Sequence, residues 1–304
     1  MSSSVNKLTI YGMTRKCLAV LEILIDRFPG VVDTVVVSSD KGNAGDFVDE
    51  IIELCKKNDI RIYNRTESFM LRTKYVLAIS WRWLIKAQEM KLIVFHDSIL
   101  PRYRGFNPLP TALINGDNEI GVTALYATNE YDKGDIIAQS ITKIQYPIKI
   151  CDAIEKISTN YQELAVLVAT DIINGIVPSA IPQNEDIATY SLWRDDEDYF
   201  IDWSLPASQI KRFVDAVGFP YRGAASTIQG KTVRILDATV IDDVCVENRT
   251  PGKVLFIKDA NPIVVCGEAL LRIDTLVDDS GRSLLPLTSF RTRFKGVDSM
   301  NHKE

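Results

Sequence analysis

A doubly wound α/β sheet followed by a smaller, mostly-β domain is the architecture predicted by this 304-residue chain. Two observations predict it. From Lys7 to Phe95, short apolar and β-branched runs alternate with segments whose apolar residues recur at helical spacing. That is the pattern of parallel strands joined by crossover helices. Beyond residue 200 the runs become short strands separated by turn signals, as in a small barrel or sandwich.

The elements follow in order. Lys7–Tyr11 is a strand closed by Gly12, and Cys17, Leu18, Val20, Leu21 and Leu24 mark a helix that ends near Pro29-Gly30. Val31–Val37 is a second strand, Ser38–Gly42 a polar loop, and Phe47–Lys57 a second helix. Ile60–Tyr63, Tyr75–Ile79 and Leu92–Phe95 complete a run of five strands. Pro108–Asn115 is a helix opened by proline, whose missing N–H is an orphan at that position anyway. Ile120–Thr128 and Ile136–Ile144 are strands on either side of a loop containing Asp132, and Ala153–Ile173 is a long amphipathic helix. Residues 175–190 carry Pro178 and Pro182 with little periodicity and read as a connector. A helix near Ser208–Val217 and strands near Val233–Val240, Gly252–Ile257, Ile263–Cys266 and Leu270–Leu276 build the second domain. The expected division is 1–176, a linker over 177–200, and 201–304.

The first β-to-α turn, Gly12-Met13-Thr14-Arg15-Lys16, lacks G-x-G-x-x-G. The sheet is therefore Rossmann-like in layout without the close pyrophosphate approach of a dinucleotide site. The formal charge of −5 offers no electrostatic ground for nucleic acid or an anionic membrane. Five scattered cysteines lack metal-ligand spacing, and with His96 the one histidine outside the tail a zinc enzyme is not expected. Met1-Ser2-Ser3-Ser4 has no apolar signal segment behind it, and no apolar run approaches a bilayer's thickness. A cytoplasmic protein is the default expectation.

Chemistry concentrates at Val94–Gly105, where an apolar strand turns abruptly into His96-Asp97-Ser98-Ile99-Leu100-Pro101-Arg102-Tyr103-Arg104-Gly105. Polar side chains at the carboxyl edge of such a strand stand where α/β sheets place ligands. His96 is then either a catalytic group or a histidine satisfied by packing. His96, Asp97 and Ser98 lie too close in sequence to converge as a hydrolase triad. Asp132 and Asp135 sit in a loop around Lys133-Gly134. They form either a solvated turn or a carboxylate source that orients His96. Ser80-Trp81-Arg82-Trp83, after the fourth strand, suits either a planar ligand's pocket or packing between domains.

Together these stretches resemble the folate-dependent formyltransferases, a group that includes methionyl-tRNA formyltransferases and sugar N-formyltransferases. The likeness rests on His96–Gly105, on Asp132-Lys133-Gly134-Asp135-Ile136 and on Gly121-Val122-Thr123 between them. It continues through Ile201-Asp202-Trp203-Ser204, Ala216-Val217-Gly218, Pro220–Ala224 and Pro251–Val254, and so covers nearly the whole chain. Ser38–Gly42, Ser80–Trp83 and Ser191–Tyr199 are similar to the sugar N-formyltransferases, and acidic Asp195-Asp196-Glu197-Asp198 ill suits an RNA backbone.

The resemblance implies formyl transfer from N10-formyltetrahydrofolate to a nucleotide-linked amino sugar, commonly a dTDP-linked 3- or 4-amino-dideoxyhexose, for surface polysaccharide. A homodimer is implied too, with methionyl-tRNA formylation or a catalytically weakened binding homologue as alternatives. His96 takes the proton of the attacking amine or stabilises the intermediate, and Asp132 orients His96 and relays the proton. Ser80, Trp81, Arg82 and Trp83, with Ala127, Thr128, Asn129, Glu130 and Tyr131, hold the pterin. Arg102, Tyr103, Arg104, Gly105, Asn107, Trp193, Arg194 and Tyr221 are the candidate substrate contacts, Tyr221 by stacking on the base. One departure stands out: Val94 occupies the family's asparagine position, whose amide serves the developing oxyanion. Asn107, Ser98, a backbone N–H or water would have to replace it.

Overall fold

The computed structural model describes residues 6–39, 45–85, 90–287 and 289–296, so Asp40–Gly42 of the Ser38 loop and His302 lie outside it. The chain divides into two compact units. The first comprises residues up to Leu109, Asn118–Ile144 and Asp152–Leu192; the second takes Pro110–Asp117, Gln145–Cys151 and everything from Trp193.

The first unit is built on strands β1 (Leu8–Gly12), β2 (Val32–Val37), β3 (Arg61–Asn64), β4 (Tyr75–Ile79) and β5 (Lys91–His96). Helices α1 (Thr14–Arg27) and α2 (Val48–Lys57) make the first two crossovers. Valine and isoleucine fill both faces of the central strands, and Leu8, Ile10, Val35, Leu77 and Ile79 are completely buried, as parallel strands covered on both sides require. Beyond β5 the chain continues through β6 (Arg104–Gly105), α3 (Pro108–Asn115, which from Pro110 on belongs to the second unit), β7 (Glu119–Tyr126), β8 (Ile136–Lys143), α4 (Ile150–Ile173) and β9 (Tyr190–Ser191).

The seven-stranded order is β3-β2-β1-β4-β5-β7-β8. β3 to β5 are parallel, but β7 and β8 join antiparallel, so the sheet is mixed rather than all-parallel. Chain order reverses between β1 and β4, which opens a crevice outside their carboxyl ends. β5 ends on His96, opposite Thr123 of β7.

Residues 177–192, expected as part of a linker, belong to the first unit. Ile181 bridges Ile136, and β9 pairs in parallel with β6. The reason is local: these residues satisfy backbone groups of the His96 loop, and a segment so engaged cannot be a free connector.

The second unit contains α5 (Ala207–Ala216) and strands β10 (Ala224–Ile228), β11 (Lys231–Ile241), β12 (Val254–Lys258), β13 (Asn261–Val265) and β14 (Leu270–Asp278). They form an antiparallel sheet in the order β10-β11-β14-β13-β12. Bridges from Thr227 to Lys295 and from Lys253 to Arg293 connect both ends of that order through one segment, which closes the sheet barrel-fashion. Trp203 packs inside against Phe294, its ring 5.4 Å away, and donates its indole N–H to the Ser226 hydroxyl at 3.1 Å. Ile210, Val214, Ile235, Leu271 and Ile273 complete that core. Among the described residues no helix is long and apolar enough to cross a membrane.

Candidate active site

His96 is held by its own downstream loop. Its Nε2 lies 2.8 Å from the Tyr103 carbonyl, which can only accept, so this nitrogen carries a proton. Nδ1 faces Asp132 Oδ1 at 3.5 Å. That separation exceeds a normal hydrogen bond, so ring and carboxylate face one another without a closed bond. Such pairs tighten when a substrate seats. The other Asp132 oxygen accepts the Gly105 backbone N–H at 2.8 Å. Both side chains are largely withdrawn from solvent, 8% and 14% exposed. The two candidates that sequence leaves thirty-six positions apart are therefore brought together.

The loop from Ser98 to Arg102 is braced from β7 and β8. Thr123 donates its hydroxyl to the Ser98 carbonyl (2.7 Å) and accepts from the Leu100 N–H (3.1 Å), and the Gln139 amide donates to the Leu100 carbonyl (2.8 Å). Ser98 is committed to the Arg102 carbonyl at 2.8 Å, so it does not replace the amide missing at Val94. Gln139 was missed by sequence reading because nothing distinguishes it from an ordinary surface amide.

Backbone strain gathers here. Thr14, Ser80, Tyr103, Asn107 and Asp132 all adopt positive φ. Each non-glycine residue held there costs about 1–3 kcal/mol, a cost that collects at functional sites. Gly105 has φ +98, and a Cβ on it would lie 2.7 Å from the Ser191 carbonyl. At Gly134 a Cβ would lie 1.6 Å from the Tyr126 carbonyl. Gly134→Ala must therefore push the Asp132 turn off β7. It is expected to cost about 1–3 kcal/mol in a thermal unfolding assay and about 100-fold in turnover. Full activity in that variant would show that the turn's position is immaterial.

Three of the expected substrate contacts are engaged within the site's own scaffold. Arg104 is completely buried; its guanidinium grips Glu185 with two nitrogens (2.7 and 2.9 Å) and donates to the Gln183 carbonyl oxygen (2.8 and 3.0 Å). The Glu185 hydrogen bond holds the guanidinium above its ordinary range, and the same contact lowers the Glu185 carboxyl. The Arg104 guanidinium is thus engaged as a structural partner within its own loop region. Tyr103 is buried and acts through its carbonyl, and Gly105 acts through its N–H. Arg102 remains at the surface, its guanidinium 4.8 Å over the Tyr103 ring. Asn107 reaches the Leu192 carbonyl at 3.5 Å.

At the switch point, Trp81 meets Tyr11 and Trp83 edge-on, with centroids 5.2 and 5.0 Å away, and Arg65 stacks on Trp83 at 4.5 Å. Burial pushes the Tyr11 phenol up, so it stays a neutral donor. Three atoms here are buried without a hydrogen-bond partner: Trp81 Nε1 and the hydroxyls of Thr14 and Ser80. Buried donors normally find acceptors, and a half-exposed aromatic wall with orphan donors fits a planar, polar-edged group. Ser80 turns the chain from β4 into this wall, and Arg82 is exposed. Ala127–Tyr131 leaves β7 as an exposed loop, closed on itself by Thr128 to Glu130 (2.9 Å) and ending in Tyr131 against Phe106. No group of three metal-ligating side chains occurs among the described residues.

A second cluster lies at the back of His96. Asp97 accepts from the Tyr161 hydroxyl at 2.5 Å and pairs with Lys16. Burial, then the Asp97 charge, drives the Tyr161 phenol well up. It ties the end of β5 to α1 and α4.

Trp193, Arg194 and Tyr221 belong to the second unit. Tyr221 lines a cleft of about 640 Å³ with Phe219, Arg222, Arg234, Lys149 and Asp215. Desolvation raises the Asp215 carboxyl, opposed by Lys211 at 2.6 Å. Trp193 is 61% exposed, and Arg194 Nε is buried without a partner.

Comparison with known proteins identifies the family. Residues 49–169 match the model described as formyl transferase, and residues 194–294 match formyl transferase, C-terminal domain. A methionyl-tRNA formyltransferase of Streptococcus sanguinis is 31% identical over 202 residues, covering 64% of this chain and 60% of that protein. The chain thus matches about three-fifths of such relatives' length. Among solved structures, the N-formyltransferase from Helicobacter canadensis, in complex with folinic acid and dTDP-3-aminofucose, superposes with a TM-score of 0.65 at 19% identity. The match covers 88% of this chain and 98% of that one. WlaRD, a sugar 3N-formyl transferase in the presence of dTDP and 5-N-formyl-THF, gives 0.64 at 18%, over 93% and 99%. With both halves of the family matched in order and His96 and Asp132 converging, this chain belongs to the formyl transferase family.

Proposed function

We propose that this chain transfers a formyl group from N10-formyltetrahydrofolate to the amine of a nucleotide-linked amino sugar, a dTDP-linked 3- or 4-amino-dideoxyhexose. The observation that carries the reaction type is the His96–Asp132 pair, 3.5 Å apart and fixed by the Tyr103 carbonyl and the Gly105 N–H. The folate would supply the activated formyl carbon, held by the wall of Trp81, Trp83 and Tyr11 with the orphan donors of Trp81 and Thr14. The attacking amine must lose a proton as it bonds. The open edge between Nδ1 and Asp132 is where this chain takes it, because Nε2 is committed to a carbonyl. Tyr103 thereby shares with Asp132 the task of orienting the ring.

Several features favour a sugar acceptor over tRNA. The net charge is −5, and Asp195 to Asp198 are all exposed, which repels a phosphate backbone. Two sugar N-formyltransferases are matched over nearly their full length. Tyr221 suits a base and Arg194, whose buried Nε has no hydrogen-bond partner, a phosphate, and exposed Arg102 suits the latter. The methionyl-tRNA reading retains the support of sequence relatives at 31% identity. A panel of dTDP-3- and dTDP-4-amino sugars assayed with N10-formyltetrahydrofolate, beside initiator methionyl-tRNA, separates them. Turnover of one dTDP-amino sugar supports the proposal. Formylation of the tRNA alone sinks it, and binding without turnover leaves the weakened homologue.

A further inference from the structure

We propose that Gln183 is a positioning residue for the reaction: its side-chain amide clamps the Asp132 turn to the His96 loop and sets the gap between Asp132 and His96. The inference rests on the His96–Asp132 reading above.

Gln183 lies in the stretch expected to be a linker, yet both ends of its amide are used inside the site. Nε2 donates to the Asp132 carbonyl at 2.7 Å and to the Gly134 carbonyl at 2.8 Å. Oε1 accepts from Arg104 Nε and Nη2, at 3.0 and 2.8 Å. Arg104 in turn precedes Gly105, whose N–H binds the Asp132 carboxylate. The result is a closed ring: Asp132 carboxylate, Gly105 N–H, Arg104, Gln183 amide, Asp132 carbonyl. Asp132 sits at φ +56, and a turn in this region needs outside contacts to hold it. The ring supplies them from two directions. Glu185 fixes the far edge of the guanidinium, so Arg104 is a rigid anchor rather than a swinging arm.

Nearby contacts tie the same segment to the histidine side. Thr189 accepts the Tyr103 N–H with its hydroxyl (2.9 Å) and the Arg104 N–H with its carbonyl (2.8 Å). The carbonyl of Tyr103 is the one that fixes His96. Residues 183–189 therefore hold both partners of the pair. Within this segment it is Gln183 that touches the Asp132 backbone. Glutamine is chemically required: Arg104 needs an acceptor and the two carbonyls need a donor, and only a primary amide offers both at one planar tip.

That requirement supplies the test. Gln183→Glu keeps, and strengthens, the contact with Arg104 but puts an oxygen against two carbonyls. Gln183→Ala removes both. If Gln183 serves only folding, the glutamate variant stays active. If it positions Asp132, Gln183→Glu keeps its Tm within about 3 °C yet loses about 10–100-fold in kcat, with KM for donor and acceptor within about twofold of wild type. A second readout needs no acceptor. The chain has two histidines, His96 and His302, so 15N-histidine NMR with a His302→Gln control resolves His96 alone. The Nδ1 signal, which faces Asp132, is expected to move in Gln183→Glu while the Nε2 signal stays. Full kcat and an unmoved Nδ1 signal in Gln183→Glu would overturn the proposal. Retained turnover in His96→Ala would instead overturn the reading on which it rests.

Discussion

Replacing His96 with alanine is expected to lower kcat for formyl transfer by about 10²–10⁴-fold, the range contributed by a positioned general acid–base group. Folate binding, followed through quenching of Trp81 and Trp83, should change little, because these rings belong to the wall at the β1–β4 switch point and not to the His96 loop. The separation of effects matters. His96 is 7% exposed and holds the Tyr103 carbonyl, so some loss of stability accompanies the change. His96→Gln keeps a donor for that carbonyl and controls for it. Asp132→Asn retains an acceptor for the Gly105 N–H while removing the charge beside Nδ1. Its loss of rate should fall in the same range, with the turn intact.

The second large effect concerns what the site lacks. Val94 stands two residues before His96 on β5, so its side chain shares the His96 face of the strand. It is half-buried between Ala78 of β4 and Leu125 of β7. An amide there would donate to the charge that develops on the formyl oxygen, and one such donor is worth about 2.7–4 kcal/mol. Val94→Asn is therefore expected to raise kcat by about 100-fold or more. Ser98 is spent on the Arg102 carbonyl, so it is not poised to compensate. An unchanged kcat would mean that a backbone N–H or a water already fills the role.

Much of the scaffold could be read from residue patterns, and the failures are physical. Tyr75–Ile79 falls on the expected residues because five consecutive apolar side chains are all buried. Strand direction is not written in such runs, so the antiparallel attachment of β7 and β8 emerges only from pairing. β10 was missed because Ala-Ala-Ser-Thr-Ile has little bulk to mark an alternation. His96 and Asp132 are left open by residue patterns and paired by the family resemblance, and the geometry brings them within 3.5 Å. Arg104 is open in sequence between a phosphate contact and a structural partner of its loop, because a guanidinium looks the same whether it waits for a phosphate or is locked to a carboxylate. Gln183 and Thr189 escaped notice because a proline-bearing stretch without periodicity resembles a tether until its hydrogen bonds are traced.

The most direct measurement is a double-mutant cycle of His96→Ala and Asp132→Asn on kcat for formyl transfer, with the acceptor found in the amino-sugar panel. If the two side chains handle one proton as a unit, the double variant loses scarcely more than His96→Ala alone. Losses that multiply independently would contradict the pair as the centre of the reaction.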